Sequence, residues 1–291
     1  MRIKKILVTG SEGFVGRHLC ERLIDLGYSV KGFDYNYGDI ITTTDYGESI
    51  DYVFHLAGKT FIPDSWKTPA SFYKINVIGT VNVLDYCRMR GIGLTYLNTY
   101  GYGEPDALPI GETAALRPNT PYNHSKYVAE DIIRFYCSVF GMNAVSLRAF
   151  NIFGFGQNEI FLLPSLVKQT LDTSVDSIHV KVLEPKRDYI YIDDVVSALV
   201  ATLNAPDGFN AYNVGSGRSF SVKDVGETIM RLAGVEKPIV ADGNVRPNDV
   251  PDIVADISKI RLELGWVPNV GFEEGLRLMI EQSRKGEVRR V

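Results

Sequence analysis

The segment Ile6–Gly16, ILVTGSEGFVG, is the part of this chain that most clearly indicates its fold. Its first residues form a short apolar run typical of a buried strand, and glycines then recur at every third position before a helical pattern begins. Gly10 allows a tight turn, Gly13 lets backbone N–H groups approach an anion, and Gly16 lets the helix pack closely on the strand. Because a helix N-terminus attracts negative charge, this strand–loop–helix unit predicts a pyrophosphate site.

An acidic residue follows at the distance typical of a dinucleotide site. Asp34 stands roughly 20 residues after the glycine loop, at the end of a second apolar run, Tyr28–Phe33. A carboxylate there accepts hydrogen bonds from the adenosine ribose and repels a 2′-phosphate, so the sequence predicts NAD rather than NADP. No lysine or arginine lies between Asp34 and Lys59 to neutralise such a phosphate. The alternative is an ordinary turn with an unrelated aspartate.

The helix that usually separates the second strand from the third is predicted to be much reduced. Asp39 follows Asp34 closely, and the next clear strand is Tyr52–His55. Asp39 and Ile40 would then line the adenine pocket, with the acid binding the amino group and the aliphatic side chain packing on the ring. The alternative is an exposed polar turn.

Short apolar runs alternate with helical patterns through the first half of the chain, which predicts βαβ units in an α/β fold. Strands are expected near residues 3–8, 28–33, 52–55, 94–97 and 144–147, and helices near 14–26, 70–89 and 122–140. We expect a Rossmann-type, doubly wound parallel sheet in residues 1–150, with segments near 187–215 returning to it. The alternation is lost after about residue 151, where we expect a smaller mixed C-terminal substrate lobe over 151–291.

Composition narrows the class of protein. Hydrophobic residues make up 45% and charged residues 23% of the 291 residues, which is ordinary for a globular chain. A net charge of −4 without a basic block argues against nucleic-acid binding. No apolar run is long enough to span a membrane. Three widely spaced cysteines, Cys20, Cys87 and Cys137, predict a cytoplasmic protein with neither a disulfide framework nor a metal site.

A tyrosine and a lysine stand together at the start of a predicted helix. Tyr122 and Lys126 are one helical turn apart and therefore share a face. A nearby ammonium stabilises a phenolate, so we expect the pKa of Tyr122 to fall below its usual value of about 10. Thr99 follows the strand Leu94–Leu97 at its carboxyl end, where parallel sheets place ligands. Its hydroxyl could bind the same substrate oxygen that Tyr122 deprotonates.

Further motifs follow in order along nearly the whole chain. They are TGxxGxxG from Thr9, HLAG at 55–58, NVIGT at 76–80, YG at 102–103, PYxxSK from Pro121, RxFNxxG from Arg148, RDYIYIxD from Arg187, YNVGSG at 212–217, RxxD at 246–249 and LGWxP from Leu264. Together they resemble the extended short-chain dehydrogenase/reductase superfamily, in its nucleotide-sugar epimerase/dehydratase branch.

The resemblance implies a role for each catalytic candidate. Tyr122 would be the acid/base, Lys126 would hold the nicotinamide ribose and tune Tyr122, and Thr99 would complete a triad. The family usually has Ser-Ser or Ser-Thr where this chain has Asn98-Thr99. This departure leaves Tyr100 open as an alternative to Thr99.

The remaining site residues come from the glycine loop, the acidic partner and the resemblance together. The expected cofactor residues are Gly10, Gly13, Phe14, Val15, Gly16, Asp34, Asp39, Ile40, Leu56, Ala57, Gly58, Asn76, Tyr122 and Lys126. The expected substrate residues are Thr99, Tyr100, Asn151, Arg187, Arg246 and Asp249. Arginine suits this task because its fork binds phosphate oxygens in pairs. The alternative for the two arginines is a surface ion pair, Arg187–Asp188 or Arg246–Asp249.

The resemblance also implies the reaction, which is hydride transfer between NAD and C4 of a nucleotide-diphosphate sugar. Epimerisation at C4 through a 4-keto intermediate is favoured. Reduction of a 4-keto-6-deoxyhexose is the alternative, since the shortened region after Asp34, HLAG at 55–58 and DSW at 64–66 resemble such reductases.

Two other activities are less favoured. The 4,6-dehydratases of this family carry an acid directly after the triad hydroxyl, where this chain has Tyr100-Gly101. A catalytically silent NAD sensor would be expected to lose the Tyr122–Lys126 pair. The resemblance further implies a homodimer that pairs the helices predicted at 70–89 and 122–140.

Overall fold

The computed structural model describes residues 3–47, 49–243 and 250–288. The strands are β1 Lys5–Thr9, β2 Ser29–Phe33, β3 Tyr52–His55, β4 Gly93–Thr99, β5 Ala144–Ala149, β6 Asn151–Phe153, β7 Ile178–Val180, β8 Lys186–Tyr191, β9 Phe209–Val214, β10 Ser219–Ser221 and β11 Ile239–Ala241. The helices are α1 Phe14–Asp25, α2 Ile62–Lys67, α3 Pro69–Tyr73, α4 Gly79–Arg90, α5 Pro121–Phe140, α6 Leu162–Leu171, α7 Ile192–Ala201, α8 Val222–Ala233, α9 Ser258–Leu264 and α10 Phe272–Val288.

A six-stranded parallel sheet, in the order β2-β1-β3-β4-β5-β9, is the main layer of the described chain. Its central strands are buried on both faces, as the apolar runs require: Ile6, Leu7 and Val8 of β1 are all fully buried. Burying each such side chain contributes roughly 1.5–3 kcal/mol. The predicted α/β class with a Rossmann-type sheet is confirmed.

The helix predicted at 70–89 is interrupted in the structure. A π-helical segment, Lys74–Ile78, joins α3 to α4, so that the backbone hydrogen bonds change register within one continuous helical path. Insertions of this kind frequently occur at functional sites. Here the π segment contains the buried Asn76 of the NVIGT motif.

The stretch between β2 and β3 is built from turns. The described residues 34–47 and 49–51 contain no helix, so the predicted loss of the usual helix is confirmed there. Tyr46 fills the space beneath this stretch, with its ring packed edge-on against Phe33 and Tyr86. Aromatic packing between these turns, β2 and α4 thereby fills the space that the missing helix would occupy.

The second half of the chain adds smaller sheets. One is three-stranded, β10-β8-β6, and one is two-stranded, β11-β7. Of the segment 187–215, β9 returns to the large sheet, whereas β8 does not: it pairs with β6 and β10. We propose a boundary near residue 150 between a cofactor domain and a substrate lobe, with β9 as the returning strand. None of the described helices is long and apolar enough to cross a membrane.

Candidate active site

A cleft of about 1610 Å³ lies at the carboxyl ends of the parallel strands. Its walls come from the glycine loop, the loops after β2 and β3, the start of α5 and the small sheets. All the described residues that the sequence predicted for the site line this cleft, with one exception, Asn76. Arg246 and Asp249 lie outside the described residues, so their predicted roles stay predictions.

The glycine loop has the geometry that its spacing predicted. Gly10 adopts a φ of +74°, and a Cβ atom on it would stand 2.7 Å from the backbone nitrogen of Ala57. Its own N–H donates to the carbonyl of Phe33 at 2.7 Å. A side chain on Gly16 would collide with the carbonyl of Gly10. Gly13 caps α1 without a side chain, so the first N–H groups of the helix lie at the cleft.

Asp34 stands beside this loop. Its Oδ2 accepts a hydrogen bond from the backbone N–H of Glu12 at 2.9 Å, and its Oδ1 accepts one from Tyr35 at 2.7 Å. These bonds hold the carboxylate at the rim of the cleft, next to the glycine loop that precedes α1. The donor set therefore fits a dinucleotide: N–H groups for the pyrophosphate and a carboxylate for ribose hydroxyls.

Asp39 and Ile40 line the same end of the cleft. Asp39 Oδ1 accepts from the N–H of Ile41 at 3.0 Å, which closes the turn. Ile40 is buried against α4, where a Cβ on Gly79 would meet its Cγ2 at 2.9 Å. This end of the cleft thus has an apolar wall with an acid beside it.

Asn76 supports the cleft from behind. It is buried, its Oδ1 accepts from the N–H of Lys59 at 2.8 Å, and its Nδ2 donates to Ser125 Oγ at 2.9 Å. A Cβ on Gly58 would stand 3.0 Å from Asn76 Oδ1. The side chain thereby ties the HLAG loop to α5, and its predicted role in cofactor binding stays a prediction.

Tyr122 lies in the first turn of α5. Thr120 caps this helix by accepting the N–H of Asn123 at 3.0 Å, and Pro121 occupies the first position. Burial raises the pKa of Tyr122 to about 12, while a hydrogen bond with Thr99 lowers it and Tyr100 raises it. The expectation of a pKa below 10 is therefore wrong for the protein's own side chains, because desolvation outweighs the other causes.

Lys126 is held on the floor of the cleft. Its Nζ donates to the carbonyl oxygen of Leu97 at 2.6 Å and lies 4.0 Å from the centre of the Tyr96 ring. Burial lowers the pKa of Lys126 to about 7, and the charge of Glu130 opposes this shift. An amine that titrates near neutral pH can exchange protons under physiological conditions.

His55, at the end of β3, is fully buried behind Lys126. Its two ring nitrogens lie 2.7 Å from Thr9 Oγ1 and 2.9 Å from Thr80 Oγ1. Burial, with a smaller effect of Lys126, lowers the pKa of His55 to about 3. The ring is neutral and links β1, β3 and α4, which makes it a structural residue.

The predicted substrate residues form one wall of the cleft. Tyr100 stacks on Phe150 with ring centres 4.8 Å apart, and its hydroxyl donates to Asn151 Oδ1 at 3.2 Å. Arg187 donates from Nη1 to the carbonyl of Val250 at 2.7 Å. The phenol of Tyr100, the amide of Asn151 and the guanidinium of Arg187 therefore all line the same cleft.

The alternative for Arg187, a surface pair with Asp188, is wrong. Asp188 is fully buried, and its carboxylate accepts hydrogen bonds from the N–H and hydroxyl groups of Ser216, both at 2.7 Å. It also accepts from the N–H of Ala255 at 3.0 Å. Asp188 thus joins β8 to two loops.

The sequence did not predict a buried network that lies beneath the candidate catalytic residues. Glu130 accepts from Asn98 Nδ2 at 2.6 Å, from Ser146 Oγ at 2.6 Å and from Arg148 Nε at 3.0 Å. Arg148 also donates from Nη1 to the hydroxyl of Tyr102 at 2.9 Å. One signal was available, because Glu130 continues the four-residue spacing of the pair on α5.

Comparisons with known proteins agree with this geometry. A model of the NAD dependent epimerase/dehydratase family matches residues 6–215. GDP-6-deoxy-D-mannose reductase of Pseudomonas aeruginosa is 29% identical over 95% of this chain and 96% of its own. UDP-glucose 4-epimerase from Thermotoga maritima, solved with UDP-glucose, superimposes with a TM-score of 0.90 at 29% identity, over 97% of this chain and 99% of its own. RMD from Pseudomonas aeruginosa, complexed with NADPH, gives 0.87 at 28% identity, over 97% and 99%.

Fold, cleft and relatives together define an NAD-dependent enzyme of the extended short-chain dehydrogenase/reductase type. Within that class, the chain belongs to the NAD-dependent epimerase/dehydratase family. The predicted resemblance and the predicted NAD cofactor are both confirmed.

Proposed function

We propose that this enzyme transfers hydride between NAD and C4 of a nucleotide-diphosphate sugar, and that its overall reaction is 4-epimerisation. The observation that carries the proposal is one cleft with two chemically distinct ends. The glycine loop and Asp34 lie at one end, and Tyr122, Thr99 and Lys126 lie beside its floor. The fold shared with an epimerase solved with UDP-glucose supports the sugar-nucleotide class.

Tyr122, Thr99 and Lys126 have separate roles in the proposed proton transfer. Bound NAD supplies the group that accepts and returns the hydride. Tyr122 removes the proton from the C4 hydroxyl, and Thr99 holds the same oxygen by a hydrogen bond. Lys126, when protonated, stabilises the phenolate that Tyr122 becomes. Since the pKa of Tyr122 is raised to about 12 by burial, this cationic support is needed for the proton transfer to proceed near neutral pH.

The diphosphate and sugar of the substrate would contact the opposite wall. Arg187 provides the charge for the diphosphate, and Asn151 with Tyr100 provides hydrogen bonds for the sugar. A keto intermediate that turns within the cleft would present its other face to the same Tyr122. Retention of the intermediate then makes the reaction an epimerisation without net consumption of the cofactor.

The experiment is incubation of the purified enzyme with UDP-glucose, UDP-galactose and their GDP counterparts, followed by chromatography of the sugars. We expect one pair of C4 epimers to interconvert without a lasting change in absorbance at the NADH band. The Tyr122→Phe protein is the control for contaminating activity. Lack of interconversion for every pair would overturn the epimerase assignment.

A reductase is the second candidate, and two observations favour it. No helix separates β2 from β3 in the described residues, and a reductase is similar to this chain over nearly its whole length. In this case a 4-keto-6-deoxyhexose nucleotide would be reduced once, with stoichiometric oxidation of NADH. Supplying such a keto sugar with NADH distinguishes the two reactions.

We also propose a homodimer and a cytoplasmic location. Exposed apolar side chains on α4 and α5 support the dimer, among them Met89, Phe135 and Val139. All three cysteines are free thiols, as in proteins of a reducing compartment.

A further inference from the structure

We propose that Asn98 is a positioning residue for the proton transfer: its side-chain amide, oriented by Glu130, holds the backbone of Thr99 opposite Tyr122. This inference rests on the proposed roles of Thr99 and Tyr122. Asn98 is the residue at which the chain departs from the family pattern, and the structure gives that departure a physical purpose.

The amide of Asn98 bridges two different elements. Its Nδ2 donates to Glu130 Oε2 at 2.6 Å, and its Oδ1 accepts the N–H of Thr99 at 2.8 Å. Because an ionised carboxylate can only accept hydrogen bonds, the amide nitrogen must face Glu130. The amide oxygen then has one direction left, toward the Thr99 N–H. Glu130 therefore fixes which way Asn98 points.

Glu130 is itself held firmly in place. Arg148 from β5 donates to it from Nε and Nη2, and Ser146 from the same strand donates at 2.6 Å. All three side chains are buried. A buried charge pair whose remaining lone pairs are satisfied is rigid, and truncating one member is costly. The carboxylate is thus a fixed reference point for Asn98.

The same helix carries both halves of the arrangement. Tyr122, Lys126 and Glu130 follow one another at four-residue intervals along α5, so they lie along one face. Glu130 is linked through Asn98 to β4. Asn98 in turn holds Thr99, the residue that faces Tyr122. A short chain of hydrogen bonds thereby links the helix that carries Tyr122 to the backbone of Thr99.

A serine at position 98 could not make this bridge. Its hydroxyl is shorter than the asparagine amide, and one oxygen would have to accept the Thr99 N–H and donate to Glu130 from the same point, whereas the amide carries the two functions on separate atoms.

Charged and titratable groups surround this network on every side. They are Lys126 and Arg134 on α5, Arg148 on β5, Tyr96 on β4, Tyr102 in the loop after β4, and Glu112 in the loop that shares a smaller cavity with Glu130.

The test is Asn98→Asp. When the new carboxyl group is protonated, its O–H can donate to Glu130 and its carbonyl can accept the Thr99 N–H, as the amide does. Once ionised it can no longer donate, and it faces another carboxylate at hydrogen-bond distance, which raises its pKa. We expect kcat relative to wild type to be highest at acidic pH and to fall on the order of 10-fold to 100-fold as the pH rises, with little change in NAD affinity.

Asn143→Asp is the matched control, because the Asn143 amide has the same pattern away from the cleft: it donates to Asp207 Oδ1 at 2.7 Å and accepts the backbone N–H of Gly208 at 2.7 Å. We expect its kcat relative to wild type to be independent of pH. The proposal would be overturned if kcat relative to wild type fell with pH to the same extent in the test variant and in the control. It would also be overturned if this ratio fell in neither of them.

A second measurement does not need the substrate. In Asn98→Ala, hydrogen exchange at the Thr99 amide should lose protection by at least about 10-fold, while Asn143→Ala should leave the protection of Thr99 unchanged. Unchanged protection in Asn98→Ala would refute the positioning role. If wild-type enzyme turns over none of the tested sugars, the proposed function fails, and the exchange result still decides the position of Thr99.

Discussion

Lys126 donates a hydrogen bond of 2.6 Å to the main-chain carbonyl of Leu97, which joins α5 to β4, the strand that ends in Thr99. Either charge state of the amine can make this bond, since both carry N–H groups. The lysine therefore keeps its position while its charge changes. With a pKa lowered to about 7 by burial, that change falls within the physiological range.

The first prediction concerns stability. Burial lowers the pKa of Lys126 from 10.5 to about 7, so between these pH values the unfolded chain binds a proton that the folded chain does not. Stability of the wild type should therefore rise with pH relative to Lys126→Met. The span should be a few kcal/mol, at about 1.4 kcal/mol per pKa unit. Urea unfolding without cofactor, from neutral to alkaline pH, measures the difference.

An exposed lysine serves as the control for this experiment. Lys223→Met on α8 should differ from wild type by the same amount at every pH, since the side chain is exposed. A pH-independent difference for Lys126→Met as well would contradict the buried, partly neutral amine.

The second prediction concerns the acid/base. Tyr122→Phe should reduce kcat by about 10²–10⁴-fold, because a general acid/base is lost, while nucleotide-sugar binding changes little. Tyr100→Phe is the matched variant: it loses the hydrogen bond to Asn151 and the proposed contact with the sugar, and we expect a much smaller effect on kcat. The reverse ranking of the two variants would transfer the role to Tyr100.

Tyr102, the next tyrosine along the chain, is engaged elsewhere. Its hydroxyl donates to Asn213 Oδ1 at 2.6 Å and accepts from Arg148 at 2.9 Å, and the side chain is buried. It faces the structural network and has no access to the cleft floor.

The third prediction concerns the cofactor. Asp34→Ala should weaken NAD binding and strengthen NADPH binding, because the carboxylate at the rim of the cleft no longer repels a 2′-phosphate. Fluorescence titration of both reduced cofactors measures the ratio, with Asp25→Ala at the exposed end of α1 as the control. One solved relative holds NADPH, so the comparison is informative. Tighter binding of NADPH than NADH by the wild type would rule out this reading of Asp34.

The sequence was sufficient for five strands of the large sheet and for most of the cleft, because both depend on local pattern. Buried parallel strands must be apolar runs, and β3 was predicted with the residues that it has, Tyr52–His55. The glycine loop was predictable for a similar reason, because Gly10 and Gly16 leave no room for a side chain. Features that depend on neighbouring residues can therefore be recognised from a short stretch of sequence.

Contacts between residues far apart in the chain could not be predicted in this way. Asn98 and Glu130 are 32 residues apart, and only the fold shows that they meet at 2.6 Å. The pKa of Tyr122 was expected to fall because sequence spacing reveals the neighbouring Lys126 but not the depth of burial. Desolvation depends on the whole fold, and here it dominates the pKa of Tyr122.

The fourth prediction concerns assembly. Met89 on α4 and Phe135 on α5 are 73% and 55% exposed, which is unusual for large apolar side chains that share one region. Phe135→Glu should convert a dimer into a monomer in sedimentation velocity. Leu262→Glu on α9 is the control, since Leu262 is 85% exposed outside the proposed interface. A wild type that sediments as a monomer would contradict the proposed homodimer.

The last prediction separates redox-only reactions from dehydration. Elimination across C5–C6 needs a group that gives a proton to the leaving 6-hydroxyl, and a carboxylic acid suits this task far better than a phenol with a pKa near 10. Thr99 is followed by Tyr100 and Gly101. Among the described residues, the acids that line the cleft are Glu12, Asp34, Asp39 and Asp242.

None of these four acids belongs to β4 or α5, the elements that carry Thr99 and Tyr122. We therefore expect no 4-keto-6-deoxy product from any hexose nucleotide, even where C4 is oxidised. The measurement is incubation with several nucleotide hexoses in D₂O, followed by mass spectrometry. Loss of one water with deuterium at C5 would show that a proton donor has been overlooked. An unchanged mass with a changed retention time would indicate epimerisation, and a supplied 4-keto sugar that gains two hydrogens would indicate reduction.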